Sequence, residues 1–216
     1  MKERPILFSA PMVRALLAGQ KTQTRRAFSK RMIDTMYNAA HMGEVSYFID
    51  HGVMHENDLS YVLDFCPYGK QGDQLYVRET WSPDFSGHYP YDKYWFAADD
   101  DRTRDIEVRD GVRGIFSPES GVHVPFRWRP SIHMPRGASR LDLKIINVRV
   151  ERLNDCSVSD ALAEGVFTWW REIEQSASDH PAPPAIYRDL WESINGAGSW
   201  AANPWVWVVE FALEGA

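Results

Sequence analysis

The sequence predicts an α+β chain that is mainly β, and three observations point there. Strand-like patterns recur along it: the apolar run Ile6 to Phe8, the alternating GDQLYVRETW (Gly72 to Trp81), the long LDLKIINVRVERL (Leu141 to Leu153) and the closing WVWVVEF (Trp205 to Phe211). The helical stripes are short, and two of them stop at a glycine, PMVRALLAG at Gly19 and VSDALAEG at Gly165. The Rossmann glycine pattern and the phosphate loop, hallmarks of open α/β sheets, do not occur, nor do GxSxG or CxxC.

At 216 residues the chain is long for one ordinary domain and short for two. One domain over 1–216 is expected, with insertions at about 28–66 and 83–126. Hydrophobic residues make up 44% and nine are Trp, which excludes a disordered chain. MKERPILF is too short in apolar residues for a signal peptide, and no run would span a bilayer, so a cytoplasmic protein without a membrane partner is expected. Cys66 and Cys156 lack metal-type spacing and are read as free thiols. A net charge of −6 opposes binding of long nucleic acid, which draws its affinity from clustered cations. Two clusters do occur, Arg25, Arg26, Lys30 and Arg31, and Arg127, Arg129, Arg136 and Arg140.

Taken in order, Ser9 and Pro11 start a helix whose stripe is Met12, Val13, Leu16 and Leu17. The first insertion suggests a helix over Met32 to Ala40 and a strand over Glu44 to Ile49. The GDQLYVRETW strand turns Leu75 and Val77 one way, Tyr76 and Arg78 the other. Short strands are expected at Tyr94 to Ala97 and Val122 to Phe126. In the long strand the alternation Leu141, Leu143, Ile145 shifts phase to Ile146, Val148, Val150, as a bulge would make it. Ser157 caps a helix with Val158, Ala161 and Leu162 inward, and another runs from Pro184 to Ile194 on a stripe of Ile186, Leu190 and Ile194.

GQKTQTRR, Gly19 to Arg26, combines a lysine, two threonines and two arginines. An amine beside a hydroxyl can activate it if burial or neighbouring cations lower its pKa, so Lys21 and Thr24 are candidates, with Arg25 and Arg26 to depress the lysine and hold an oxyanion. The competing reading is a basic turn whose threonines bond local backbone. In a regular strand, residues three apart face opposite ways. Glu164 stands in the last turn of its helix, where its charge opposes the dipole, and is therefore either exposed or used by a cation such as Lys21. Glu79, at a strand end, is a second carboxylate candidate. His51 and His55 are spaced for one helical face, but Gly52 lies between them and no third ligand follows, so no metal is expected. His133 is read as a pocket or a core histidine.

The order of these segments resembles the ASCH family, whose domains have a PUA-like β-barrel. LLAGQKTQTR is similar to the signature of bacterial N(4)-acetylcytidine amidohydrolases, and DALAEG sits where their functional Glu lies; the series is most like the longer ASCH-type proteins of phages and prophages. The resemblance covers residues 5–26, 70–81, 140–166 and 204–212. It implies a PUA-like barrel with flanking short helices, and Lys21, Thr24 and Glu164 as catalytic residues hydrolysing an N(4)-acylcytosine nucleoside without metal or cofactor. Two schemes stay open: Thr24 attacks with Lys21 as base and Glu164 orienting it, or Glu164 activates a water while Thr24 holds the carbonyl. Arg25, Arg26, Tyr76, Arg78, Glu79, Trp81 and His133 are expected to bind the pyrimidine at the barrel mouth. The alternative is an RNA-binding module or a phage ribonuclease, although the acidic charge makes RNA binding weak and favours a free nucleoside as partner.

Overall fold

The computed structural model describes residues 2–99, 105–166 and 181–214. Its central element is a five-stranded sheet in the order β1-β3-β9-β10-β2, formed by Glu3–Leu7 (β1), Gln23–Ala27 (β2), Gln74–Arg78 (β3), Asp142–Arg152 (β9) and Trp205–Leu213 (β10). β1 and β3 are parallel, and the other neighbours are antiparallel. The sheet curls until its two edge strands approach, and there the Arg26 guanidinium donates to the Leu7 carbonyl at 2.7 Å. The class is the mainly β α+β expected.

Both faces of β10 are buried, because the sheet lies between two apolar layers. Trp205, Trp207, Val209 and Phe211 pack inward with Ile6, Leu75, Leu143 and Met36, while Val206 and Val208 pack outward with Ala161, Tyr187 and Trp191. The phase shift of the long strand is real. Glu210 pairs with Asn147 and Phe211 with Ile145, so Ile146 is skipped and stands 45% exposed.

The helices flank this sheet. Ala10–Leu17 (α1) buries Val13, Ala15 and Leu16, but Leu17, expected inward, is 48% exposed because the buried face is turned toward Ala15, which lies about 200° around the helix from Leu17. Lys30–His41 (α2) is capped by Ser29, whose hydroxyl accepts from the Met32 N–H. The strand expected over Glu44 to Ile49 does not form. Asp58 takes the Ser46 N–H and hydroxyl at 2.7 and 2.6 Å, tying this segment to Glu56–Leu63 (α4), and Phe48–His51 (α3) is helical, with Phe48 edge-on to Trp205. Gly52, at φ +72°, breaks the chain between the two histidines, so His51 closes α3 and His55 caps α4 instead of sharing a face.

The short strand pair Trp81–Ser82 (β4) and Trp95–Phe96 (β5) follows β3. Beyond β5 the chain forms a three-stranded antiparallel sheet, Glu107–Arg109 (β6), Val112–Ser117 (β7) and Val122–Pro125 (β8), over a small core of Phe85, Trp95, Ile115, Val124 and Phe126. Val158–Ala163 (α5) has a capping box between Ser157 and Asp160. It buries Ala161, while Val158, expected inward, is the first residue of the helix and is 51% exposed. Pro183–Asn195 (α6) presents Ile186, Tyr187 and Trp191 to the sheet; Ile194, expected on its buried stripe, is 55% exposed. Two aromatic side chains four apart set the rotation of α6 more strongly than the smaller Leu190 and Ile194. Among the described residues no helix is long and apolar enough to cross a membrane.

Candidate active site

Gly19, at φ +68°, ends α1, and the chain turns back so that Lys21 forms an isolated antiparallel bridge with Glu164 before β2 begins. The Thr22 N–H donates to the Ala163 carbonyl at 2.9 Å, and the Phe211 N–H to the Thr22 carbonyl at 2.9 Å. The end of α5, the opening stretch and β10 are thereby tied together at one point. Gly165, at φ +94°, makes this approach feasible: a Cβ there would stand 3.0 Å from the Ala15 Cβ and 3.2 Å from the Lys21 Cβ. Gly165→Ala is therefore expected to cost roughly 1–3 kcal/mol through backbone strain and displacement of Lys21, read from urea unfolding midpoints.

The Lys21 side chain is fully buried, and its Nζ donates to the Gln23 carbonyl at 2.9 Å, the Glu164 carbonyl at 2.9 Å and Glu164 Oε2 at 3.0 Å. All three ammonium hydrogens have acceptors. Burial lowers its pKa, the Glu164 charge offsets part of that, and Arg26 and Arg25 add to the lowering. The Lys21 amine also lies 5.3 Å from the centre of the Phe8 ring.

Glu164 Oε1 faces Arg25, whose Nη1 is 3.5 Å away. Arg25, also fully buried in its side chain, reaches Glu151 at 3.0 Å and Asp160 at 3.2 Å through Nη2. Arg149 joins the network through Asp160 at 2.7 Å and through Glu151 and Glu210. Burial disfavours the charged Asp160 carboxylate, yet hydrogen bonds from Ser157 and the charge of Arg25 hold it well below the usual carboxylate range. Burial pushes the Cys156 thiol up to about 12, so it stays protonated and unreactive at neutral pH.

Along the outer edge of β2 lies a narrow pocket of about 50 Å³ lined by Thr24, Arg25, Arg26, Glu164, Tyr187 and Trp191, with Met12 of α1 and the end of α6 at its margins. It holds a few waters or a small acyl group, so a larger ligand must extend out of its mouth. Thr24 is buried in β2 opposite Val209, and its hydroxyl makes no hydrogen bond within the described residues. Lys21 does not line the pocket. It sits behind Glu164.

The structure thus brings Lys21, Thr24, Arg25, Arg26 and Glu164 together, and it places the other candidates elsewhere. Arg78 bonds the Tyr76 hydroxyl at 3.2 Å and the Ile132 carbonyl at 3.3 Å, beside the short turn that contains His133. Glu79 is buried in a two-bond pair with Arg140, at 2.9 and 3.2 Å. Burial raises its pKa despite Arg140. Trp81 packs with Phe96, Met134 and Ala138. None of Tyr76, Arg78, Glu79, Trp81 and His133 lines the pocket at β2. The sequence reading also missed Asp160, Tyr187 and Trp191. Asp160 had a visible signal, since it lies four residues before Glu164 and both carboxylates project from one side of α5 toward Arg25. Among the described residues no group of His, Cys, Asp and Glu is arranged to hold a metal ion.

No protein-family model and no curated protein matches the chain. Among solved structures, it is similar to the crystal structure of an ASCH domain from Lactobacillus crispatus JV V101, at 12% identity over 98% of this chain and 79% of that chain, with a TM-score of 0.31.

Proposed function

We propose that the chain is an amidohydrolase that removes the acyl group from N(4)-acylcytosine nucleosides. The observation that carries this reading is the buried Lys21–Glu164 pair at the back of a narrow pocket lined by Thr24, whose hydroxyl is unbonded among the described residues. The likeness of LLAGQKTQTR and DALAEG to the acetylcytidine amidohydrolase motifs supports the substrate class.

Of the two schemes, the geometry favours activation of water by Glu164. An ammonium that donates three hydrogen bonds has no lone pair with which to deprotonate Thr24. Glu164 borders the pocket, and its Oε1 has only the long contact with Arg25. In this scheme Glu164 takes a proton from water and the oxygen adds to the acyl carbonyl. The Thr24 hydroxyl bonds the carbonyl oxygen as it becomes an oxyanion. The C–N bond then breaks, and the proton on Glu164 passes to the departing exocyclic nitrogen, giving the free acid and the cytosine nucleoside. Lys21 and Arg25 hold the Glu164 carboxylate in place, and Arg26 stands beside it on the pocket wall.

Incubation with N(4)-acetylcytidine and longer acylcytidines, with cytidine release followed by chromatography, tests the reading. Stoichiometric cytidine and carboxylic acid are expected, unchanged by a chelator. Absence of cytidine from every acylcytidine at high enzyme concentration would overturn it.

A further inference from the structure

Among the described residues, three that line the β2 pocket each carry a buried side-chain donor without a partner. Trp191 Nε1, Arg25 Nε and Arg26 Nε are all buried without a partner, and all three residues line this pocket. Tyr187, only 3% exposed as a residue, lines the same pocket and brings a phenol that is not bonded to any other described residue. A buried donor left unpaired costs roughly 1–3 kcal/mol, so several around one small pocket point to a ligand that satisfies them. Such a ligand must bring acceptors.

Charge decides which acceptors. The cations of this region, Lys21, Arg25, Arg26 and Arg149, are matched by Glu151, Asp160, Glu164 and Glu210, and all but Arg26 are joined to these carboxylates by ion pairs. An anion entering here would meet Glu164 directly, whereas a neutral carbonyl takes the free N–H and O–H groups without adding charge. We infer that the pocket binds a neutral, acceptor-rich planar amide, and that Tyr187 and Trp191 of α6 are ligand-binding residues whose phenol and indole donate to its carbonyl oxygens. An N(4)-acylcytosine fits, since its acyl oxygen, ring nitrogen N3 and O2 are all acceptors. The ligand's identity rests on the function proposed above; its class rests on the unpaired donors. Burial, reinforced by the Glu164 charge, raises the Tyr187 phenol well above its ordinary pKa, so it remains a donor across the neutral range.

The indole ¹⁵N–H signals report this directly, with Trp191→Phe identifying the one that belongs to Trp191. Titration with N(4)-acetylcytidine, and more weakly with N-methylacetamide, is expected to move that signal saturably, and sodium acetate at equal concentration to move it less. A signal that responds to neither amide, or responds more to acetate, overturns the inference. Tyr187→Phe removes one oxygen and keeps the ring packed on Trp191 and Trp200. It should leave the melting temperature unchanged and weaken N(4)-acetylcytidine binding roughly tenfold. This variant carries the test if Trp191→Phe does not fold. Binding at Trp191 or Tyr187 without hydrolysis refutes the proposed reaction and leaves the ligand class standing. Hydrolysis at parental kcat/KM by both variants does the reverse.

Discussion

Lys21→Met is expected to destabilise the fold by about 3–5 kcal/mol, the cost of leaving a buried carboxylate without its cation. The methionine fills the lysine's apolar length, but Glu164 then keeps only the 3.5 Å contact with Arg25. For a chain of this size the loss corresponds to a fall in melting temperature of roughly 10 °C. The double variant Lys21→Met/Glu164→Leu should recover much of that loss. Both charges leave together, and Arg25 retains Glu151 at 3.0 Å and Asp160 at 3.2 Å. Thermal unfolding of the two single variants and the double closes the cycle. Losses that simply add would show that Lys21 and Glu164 do not interact, contrary to the 3.0 Å pair. Activity separates from stability in Glu164→Gln, which preserves shape but cannot accept a proton from water. Its turnover should fall at least a hundredfold, as for loss of a general base.

How much of this site could be read beforehand depended on whether the information was local. Gly19 and Gly165 announced their turns because a left-handed backbone favours glycine, and both have positive φ, +68° and +94°. The bulge at Ile146 was legible as a break in a period-two pattern, since one extra residue flips every side chain that follows. Lys21 and Glu164 are 143 positions apart, and no periodicity encodes such a meeting. Only the unfavourable charge at the end of α5 hinted that Glu164 needed a cation. The three-residue spacing of Lys21 and Thr24 raised a geometric objection that the structure resolves by starting β2 at Gln23, so that Lys21 belongs to the preceding bridge and not to the strand.

The misreadings have a common physical origin. α6 offered two apolar stripes, Ile186, Leu190 and Ile194 or Ile186, Tyr187 and Trp191, and the tertiary layer outside β10 selected the aromatic one. Choosing the aliphatic stripe hid the two side chains that now close the pocket. A small closed barrel would bring Tyr76, Arg78 and Trp81, at strand ends, to one mouth with the opening stretch. In the curled sheet, β3 and β2 are opposite each other in strand order, with β9 and β10 between them on the paired side. Tyr76 and Arg78 are instead taken up by each other and by Arg136, whose guanidinium lies 5.1 Å from the Tyr76 ring centre.

Thr24 variants are expected to show the second large effect, and they discriminate between the two chemical schemes. Thr24→Val replaces a hydroxyl that makes no hydrogen bond among the described residues with a methyl of similar volume, so stability should change by less than about 1 kcal/mol, the net worth of one ordinary hydrogen bond. If the hydroxyl stabilises the oxyanion, kcat should fall roughly 10²- to 10³-fold with KM little altered. Thr24→Ser keeps the hydroxyl and should retain more activity than Thr24→Ala under either scheme, so the decisive measurement is a trapped intermediate. A nucleophilic Thr24 passes through an acyl-enzyme ester, and mass spectrometry of acid-quenched protein would find the chain heavier by one acetyl group on Thr24. Water activation by Glu164 leaves the chain at its own mass at every time point. Detection of the ester would return Lys21 to the role of base, and would require its ammonium to release a proton from the three-acceptor cradle in which it now sits. The burial that lowers its pKa would then be the feature that makes this release feasible.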